Sequence, residues 1–164
     1  MYLLAITLGL CISYFILFFL FPFFFEHRIA KVTKKSFLFA AVVTFLSFTG
    51  YLAGFHISDL EFANRLQHAF GGGFLAFLIC FLATKDSGVK ISKFQFFIFS
   101  ALIVTALGVI NESMEYVLQN YFGFTLMFAD SINDTWLDLV SNTVGIAIAG
   151  VCFTPFVNTR PVAL

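Results

Sequence analysis

From Met1 to Phe25 the chain carries no charged residue. About 20 consecutive apolar residues suffice to cross the hydrocarbon core of a bilayer, so this stretch is expected to form a transmembrane helix. It runs longer than a signal peptide and lacks the basic start and small-residue cleavage site of one, so the helix is expected to be retained. The alternation then repeats. A basic linker, 26–35, leads into apolar residues 36–55, and a short polar stretch, 56–65, into residues 68–84. A second basic linker, 85–93, precedes apolar residues 94–111, whose helix is expected to continue to 120. Residues 121–133 return the chain to a last apolar run, 134–156, and a short tail. The pattern predicts an all-α, polytopic integral membrane helix bundle with about five transmembrane helices, over residues 1–25, 36–55, 68–84, 94–120 and 134–156. Residues 1–164 are read as a single transmembrane domain with no internal repeat.

Composition narrows the class. Apolar residues make up 60% of the 164 positions and charged residues 11%, against about 25% charged in soluble domains. A chain this small cannot hide so many apolar side chains in a water-soluble core, because small domains keep much of their surface exposed. A soluble globular enzyme and a disordered protein are thereby excluded. The formal net charge is zero, so there is no basic field to hold a nucleic acid. The expected partners are membrane lipids, with a homo-oligomer or a larger membrane complex as a further possibility. Cys11, Cys80 and Cys152 stand singly in apolar runs with no CxxC spacing. They support neither a disulfide framework nor a zinc knuckle.

Charge also orients the bundle. Of nine Lys and Arg, eight fall in the 26–35 and 85–93 linkers or in the tail: Arg28, Lys31, Lys34, Lys35, Lys85, Lys90, Lys93 and Arg160. Arg65 alone falls on the opposite side. The positive-inside rule then predicts an outer N-terminus and a cytoplasmic C-terminus. Between Lys93 and Arg160 there is no basic residue, yet Glu112, Glu115, Asp130, Asp134 and Asp138 crowd that interval. With Arg65, His56 and His68 they are expected at the outer face.

Helical spacing gathers these groups into stripes. Gly108, Asn111, Glu112, Glu115 and Gln119 lie within about a third of a helix circumference at roughly 100° per residue. Asp134, Asp138, Ser141, Asn142, Gly145 and Ala149 form a second stripe; Glu61, Asn64, Arg65, His68 and Gly72 form a third. Small residues let membrane helices approach and polar ones bond across the contact, so the third, fourth and fifth spans are expected to meet around an outward polar pocket. Ionisable residues inside a span mark a functional or partnered site. Glu112, Glu115 and Asp138 are the candidate catalytic groups, and Arg65, Asn111, Asp134 and Asn142 the candidate ligand-binding ones. Carboxylates with one His suit a hard or borderline divalent cation, which makes His68, Glu112, Glu115 and Asp138 the candidate metal ligands. A shared proton would serve general acid–base chemistry instead. Blander readings stand beside these. Asp134 or Asn133 can cap the fifth helix, Glu61 and Arg65 can form a surface ion pair at i, i+4, and Trp136 can belong to an interfacial belt. Neither a GxSxG nor a Walker A sequence occurs; Gly71-Gly72-Gly73 has no following Lys and suits close packing or a bend.

Two stretches carry a family likeness. Asp138-Leu139-Val140-Ser141-Asn142-Thr143-Val144-Gly145, with Gly150 beyond, resembles the helix of the VanZ-like family, which follows a helix bearing a Glu. Asn111-Glu112-Ser113-Met114-Glu115-Tyr116 and the run from Asp134 to Asp138 are also similar to the YjdF-type membrane family. Gln67-His68-Ala69-Phe70-Gly71-Gly72 fits the preceding helix. The likeness covers roughly residues 61–150. It implies a small bacterial cell-envelope protein of the cytoplasmic membrane. Three functions are expected to compete: binding or altering an envelope lipid or precursor, metal-dependent enzymatic action on a lipid headgroup, and a structural role inside a membrane complex.

Overall fold

The computed structural model describes residues 2–122 and 132–158, with side chains from Thr7 and Asp134 onward in the two segments. Asp130, Arg160 and the side chain of Asn133 lie outside them. The described residues are helical: α1 (Tyr2–Glu26), α2 (Lys34–Gly54), α3 (Leu60–Gln67), a π-helical segment (His68–Leu75), α4 (Ala76–Ser87), α5 (Lys93–Phe122) and α6 (Ile132–Phe153). A single 3-10 turn, Thr154–Phe156, follows α6. Five of the resulting rods are long and apolar enough to cross a membrane.

The third rod departs from the sequence expectation. It begins at Leu60, not near His68, because α3, the π segment and α4 run on as one span from Leu60 to Ser87. Asp59 caps its start, accepting from the Phe62 amide at 3.0 Å, and Glu61 in the first turn complements the helix dipole. The polar stretch 60–67 is therefore helix, with Arg65 and Asn64 turned toward α6. Gly88, at φ 70°, ends the rod in the left-handed conformation that glycine adopts without a Cβ penalty. Thr33 and Ser36 close a reciprocal cap at the start of α2.

Packing divides the bundle into two ends. At the basic end, α1 lies along α4. Tyr14 is fully buried between them and donates to Asp86 at 2.7 Å. Arg28 donates to the Ser87 carbonyl at 2.7 Å, tying the first linker to the end of α4. Phe18, Val43, Phe77, Ile79, Phe96 and Val104 fill the core, with Phe77 edge-on to Phe96 at 5.4 Å. Phe23, Phe37, Phe45, Leu102 and Val151 are exposed, as a lipid-facing surface requires.

At the other end, α6 packs along the π-helical segment. The contact is backbone on backbone. A Cβ on Gly145 would collide with the Ala69 carbonyl and the Phe74 amide, and one on Gly73 with the Asn142 carbonyl. The wide π turn and its glycines thus replace side chains with direct approach, as small residues do in membrane helix pairs.

Candidate functional site

The site forms where three rods meet through their polar stripes. On α3, Asn64 and Arg65 sit at the last turn, and His68 opens the π segment one turn later. On α6, Asp134 lies in the first turn and Asp138 one turn deeper. On α5, Gly108 and Glu112 are the buried members of their stripe.

Asp138, 2% exposed, is the centre. Arg65 Nη1 donates to its Oδ1 at 2.5 Å, and Nη2 donates to Asp134 Oδ1 at 2.6 Å. One guanidinium thus spans two carboxylates a turn apart. The Asn64 amide donates to Asp138 Oδ1 at 3.2 Å and contacts Oδ2 at 3.3 Å. His68 turns both ring nitrogens to carboxylates, Nε2 to Asp138 Oδ2 at 3.4 Å and Nδ1 to Glu112 Oε1 at 3.7 Å. His68, Glu112 and Asp138 each bring one donor atom within 4.8 Å of the others.

Asn142, one turn deeper than Asp138, is 4% exposed. Its side chain is wedged between Gly72, whose added Cβ would strike its Oδ1, and Gly108, whose Cβ would come to 3.0 Å from its Nδ2. The Oδ1 atom is buried without a hydrogen-bond partner. Beside it a crevice of about 80 Å³ runs between α5 and α6, lined by Thr105, Val109, Leu139, Asn142, Thr143 and Ile146. Its rim residues Thr105, Val109 and Thr143 are exposed.

Of the residues expected at the site, the structure brings Arg65, His68, Glu112, Asp134 and Asp138 together and sets Asn142 directly beneath. The other two lie at its edge, beside Glu112. Asn111 donates to Glu115 at 2.8 Å along the exposed side of α5. Of the four expected metal ligands, His68, Glu112 and Asp138 form the close donor group, and Glu115 accepts from Asn111 beside it. Arg65 points to α6 rather than pairing with Glu61, and Asp134 lies in the first turn of α6. His56 is exposed and outside the cluster; Trp136 is 64% exposed, as an interfacial residue would be. Asn64 was not singled out as a site residue, although its place four residues before His68 on one stripe carried the signal.

A family model described as "Predicted membrane protein (DUF2238)" matches residues 5–159, nearly the whole chain, and it corresponds to the YjdF-type likeness. No curated protein and no solved structure matches the chain.

Proposed function

We propose, for a chain that belongs to the DUF2238 family of membrane proteins, that the cluster around Asp138 binds the headgroup of a lipid or lipid-linked precursor of the bacterial cell envelope. The supporting observation is a buried charged cluster with, one helical turn deeper and beside Asn142, a crevice between α5 and α6 whose Thr105, Val109 and Thr143 are exposed. Helices need only small and weakly polar contacts to associate. A charged residue at the centre of a span costs about 2.5–3.5 kcal/mol on insertion scales and by default marks a working interior site. A lipid entering sideways would set its headgroup against Arg65 and Asp138 and its chain along Val109, Leu139 and Ile146. The VanZ-like pattern from Asp138 to Gly145 and the eight basic residues on one side favour a cytoplasmic-membrane protein with this site facing outward.

Native mass spectrometry of protein extracted in mild detergent tests the proposal. Retained lipid masses are expected on the wild type and are expected to fall in Thr143→Phe, which fills the crevice without touching a charge. Equal retention in both overturns the lateral-entry reading. The mutual satisfaction of Arg65, Asp134 and Asp138 favours a second reading, in which the cluster joins helices within a homo-oligomer or larger complex. That reading requires a native mass well above one chain and no retained lipid.

A further inference from the structure

The cluster is short of positive charge. Arg65 is shared between Asp134 and Asp138, while Glu112, 9% exposed, aims its buried Oε1 at His68 with no hydrogen-bond partner. The two His68 contacts, 3.4 and 3.7 Å, exceed the usual 2.7–3.2 Å of an N–H···O hydrogen bond. The three groups are therefore close without a hydrogen bond among them, and one donor atom from each lies within 4.8 Å of the others. We infer, resting on the headgroup reading of the same cluster, that His68, Glu112 and Asp138 bind one divalent transition-metal cation of the manganese, iron, cobalt or zinc class.

Size and chemistry both fit. Metal–oxygen and metal–nitrogen bonds of about 2.0–2.2 Å place two donors on one ion no more than about 4.4 Å apart. Three donors cannot all stand at that limit; tetrahedral donors sit about 3.4 Å apart, so the group, whose atoms lie within 4.8 Å of one another, closes by up to about 1.4 Å. Rotation about the soft terminal torsion of Glu112 supplies that movement. Asp138 is already oriented: Arg65 and Asn64 hold its carboxylate and leave Oδ2 facing the ring of His68. Such outer contacts fix the direction of a ligating group. One imidazole with two carboxylates is a borderline donor set, better matched to these transition ions than to calcium or magnesium, which take oxygen alone, or to copper(I), which takes sulfur. Three protein donors leave an open coordination position. A headgroup phosphate oxygen fills it, and the cation provides the positive charge that Arg65, held by two carboxylates, does not spare.

The test uses protein purified with a histidine-free tag, stripped with a chelator and titrated separately with Mn²⁺ and Zn²⁺ at equilibrium dialysis. One ion per chain is expected. Glu112→Gln is expected to weaken binding by about tenfold or more, a loss at least as large as that of outer-contact changes at metal sites, while Cys152→Ser, an exposed residue outside the three-donor group, leaves it unchanged. X-ray absorption on the loaded protein is expected to show nitrogen and oxygen neighbours without sulfur. Substoichiometric uptake of both ions, or wild-type affinity in Glu112→Gln, overturns the metal site. Retained lipid is measured on the same samples. Lipid held equally with and without chelator overturns the contact of headgroup and metal and leaves the headgroup reading standing. One bound ion with no lipid supports the metal and removes the headgroup.

Discussion

Arg65→Met would remove the cation that faces two carboxylates while keeping an unbranched side chain of similar reach. In the wild type the guanidinium holds Asp138 at 2.5 Å and Asp134 at 2.6 Å. The two halves are unequal. The side chains of Arg65 and Asp134 retain 21% and 17% of their exposure, so water reaches that contact and it is worth at most about 1 kcal/mol. Asp138 keeps only 3%, and removing one partner of a buried pair costs about 3–5 kcal/mol. The Asn64 amide at 3.2 Å stays to soften the loss, which puts the total near the lower bound, about 3 kcal/mol. With roughly 2–4 °C per kcal/mol for a chain of this size, Tm in detergent should fall by roughly 6–12 °C. Replacing both partners by apolar groups is often close to neutral, so Arg65→Met combined with Asp138→Leu should regain most of that fall. A drop below about 2 °C, or a double variant less stable than the single one, would refute the assignment of Arg65 to Asp138 as a buried pair.

Other outcomes follow from the same geometry. Gly145→Leu should abolish the close packing of α6 on the π-helical segment, since even a Cβ there meets the Ala69 carbonyl and the Phe74 amide; an unchanged melting temperature would mean this face looks at lipid. Asp138→Asn keeps the shape of the side chain but leaves Arg65 with Asp134 alone, so retained lipid should drop sharply while Tm falls less than in Arg65→Met, and unchanged retention would take Asp138 out of the site. A cysteine introduced within residues 31–35 should be shielded from an impermeant thiol reagent in intact cells and one at position 123 should react; the opposite labelling would turn the acidic end to the cytoplasm.

The number and order of membrane helices were legible because apolar runs and basic linkers alternate cleanly along the chain. The meeting of the three rods was legible too, since Arg65, His68, Glu112 and Asp138 each stand on a stripe with small residues, and the periodicity of such a stripe fixes the face it occupies. The early start of the third rod was not. Residues 60–67 read as a polar connection until the partners on α6 that neutralise Arg65 are known, and those lie about 70 positions away in the chain. The π-helical segment was hidden for a related reason. Three consecutive glycines permit a bend, a turn or close contact equally, and only the backbone of Gly145 against Ala69 selects the wide turn. Glu115 could not be told apart from Glu112 in the sequence because stripes resolve direction only to about a third of a circumference. That arc includes both the buried face occupied by Glu112 and the flank where Glu115 meets Asn111.

The central claim is that three membrane helices converge on a buried charged cluster that receives a ligand from outside the chain. A cryo-electron density map of the protein in lipid nanodiscs tests it most directly. The account expects Arg65 on Asp138 and Asp134, His68 between Asp138 and Glu112, and non-protein density continuing from that cluster into the crevice beside Asn142. A map in which Glu112 and Asp138 face separate sides of the bundle, or in which the cluster is closed by protein side chains alone, would contradict it.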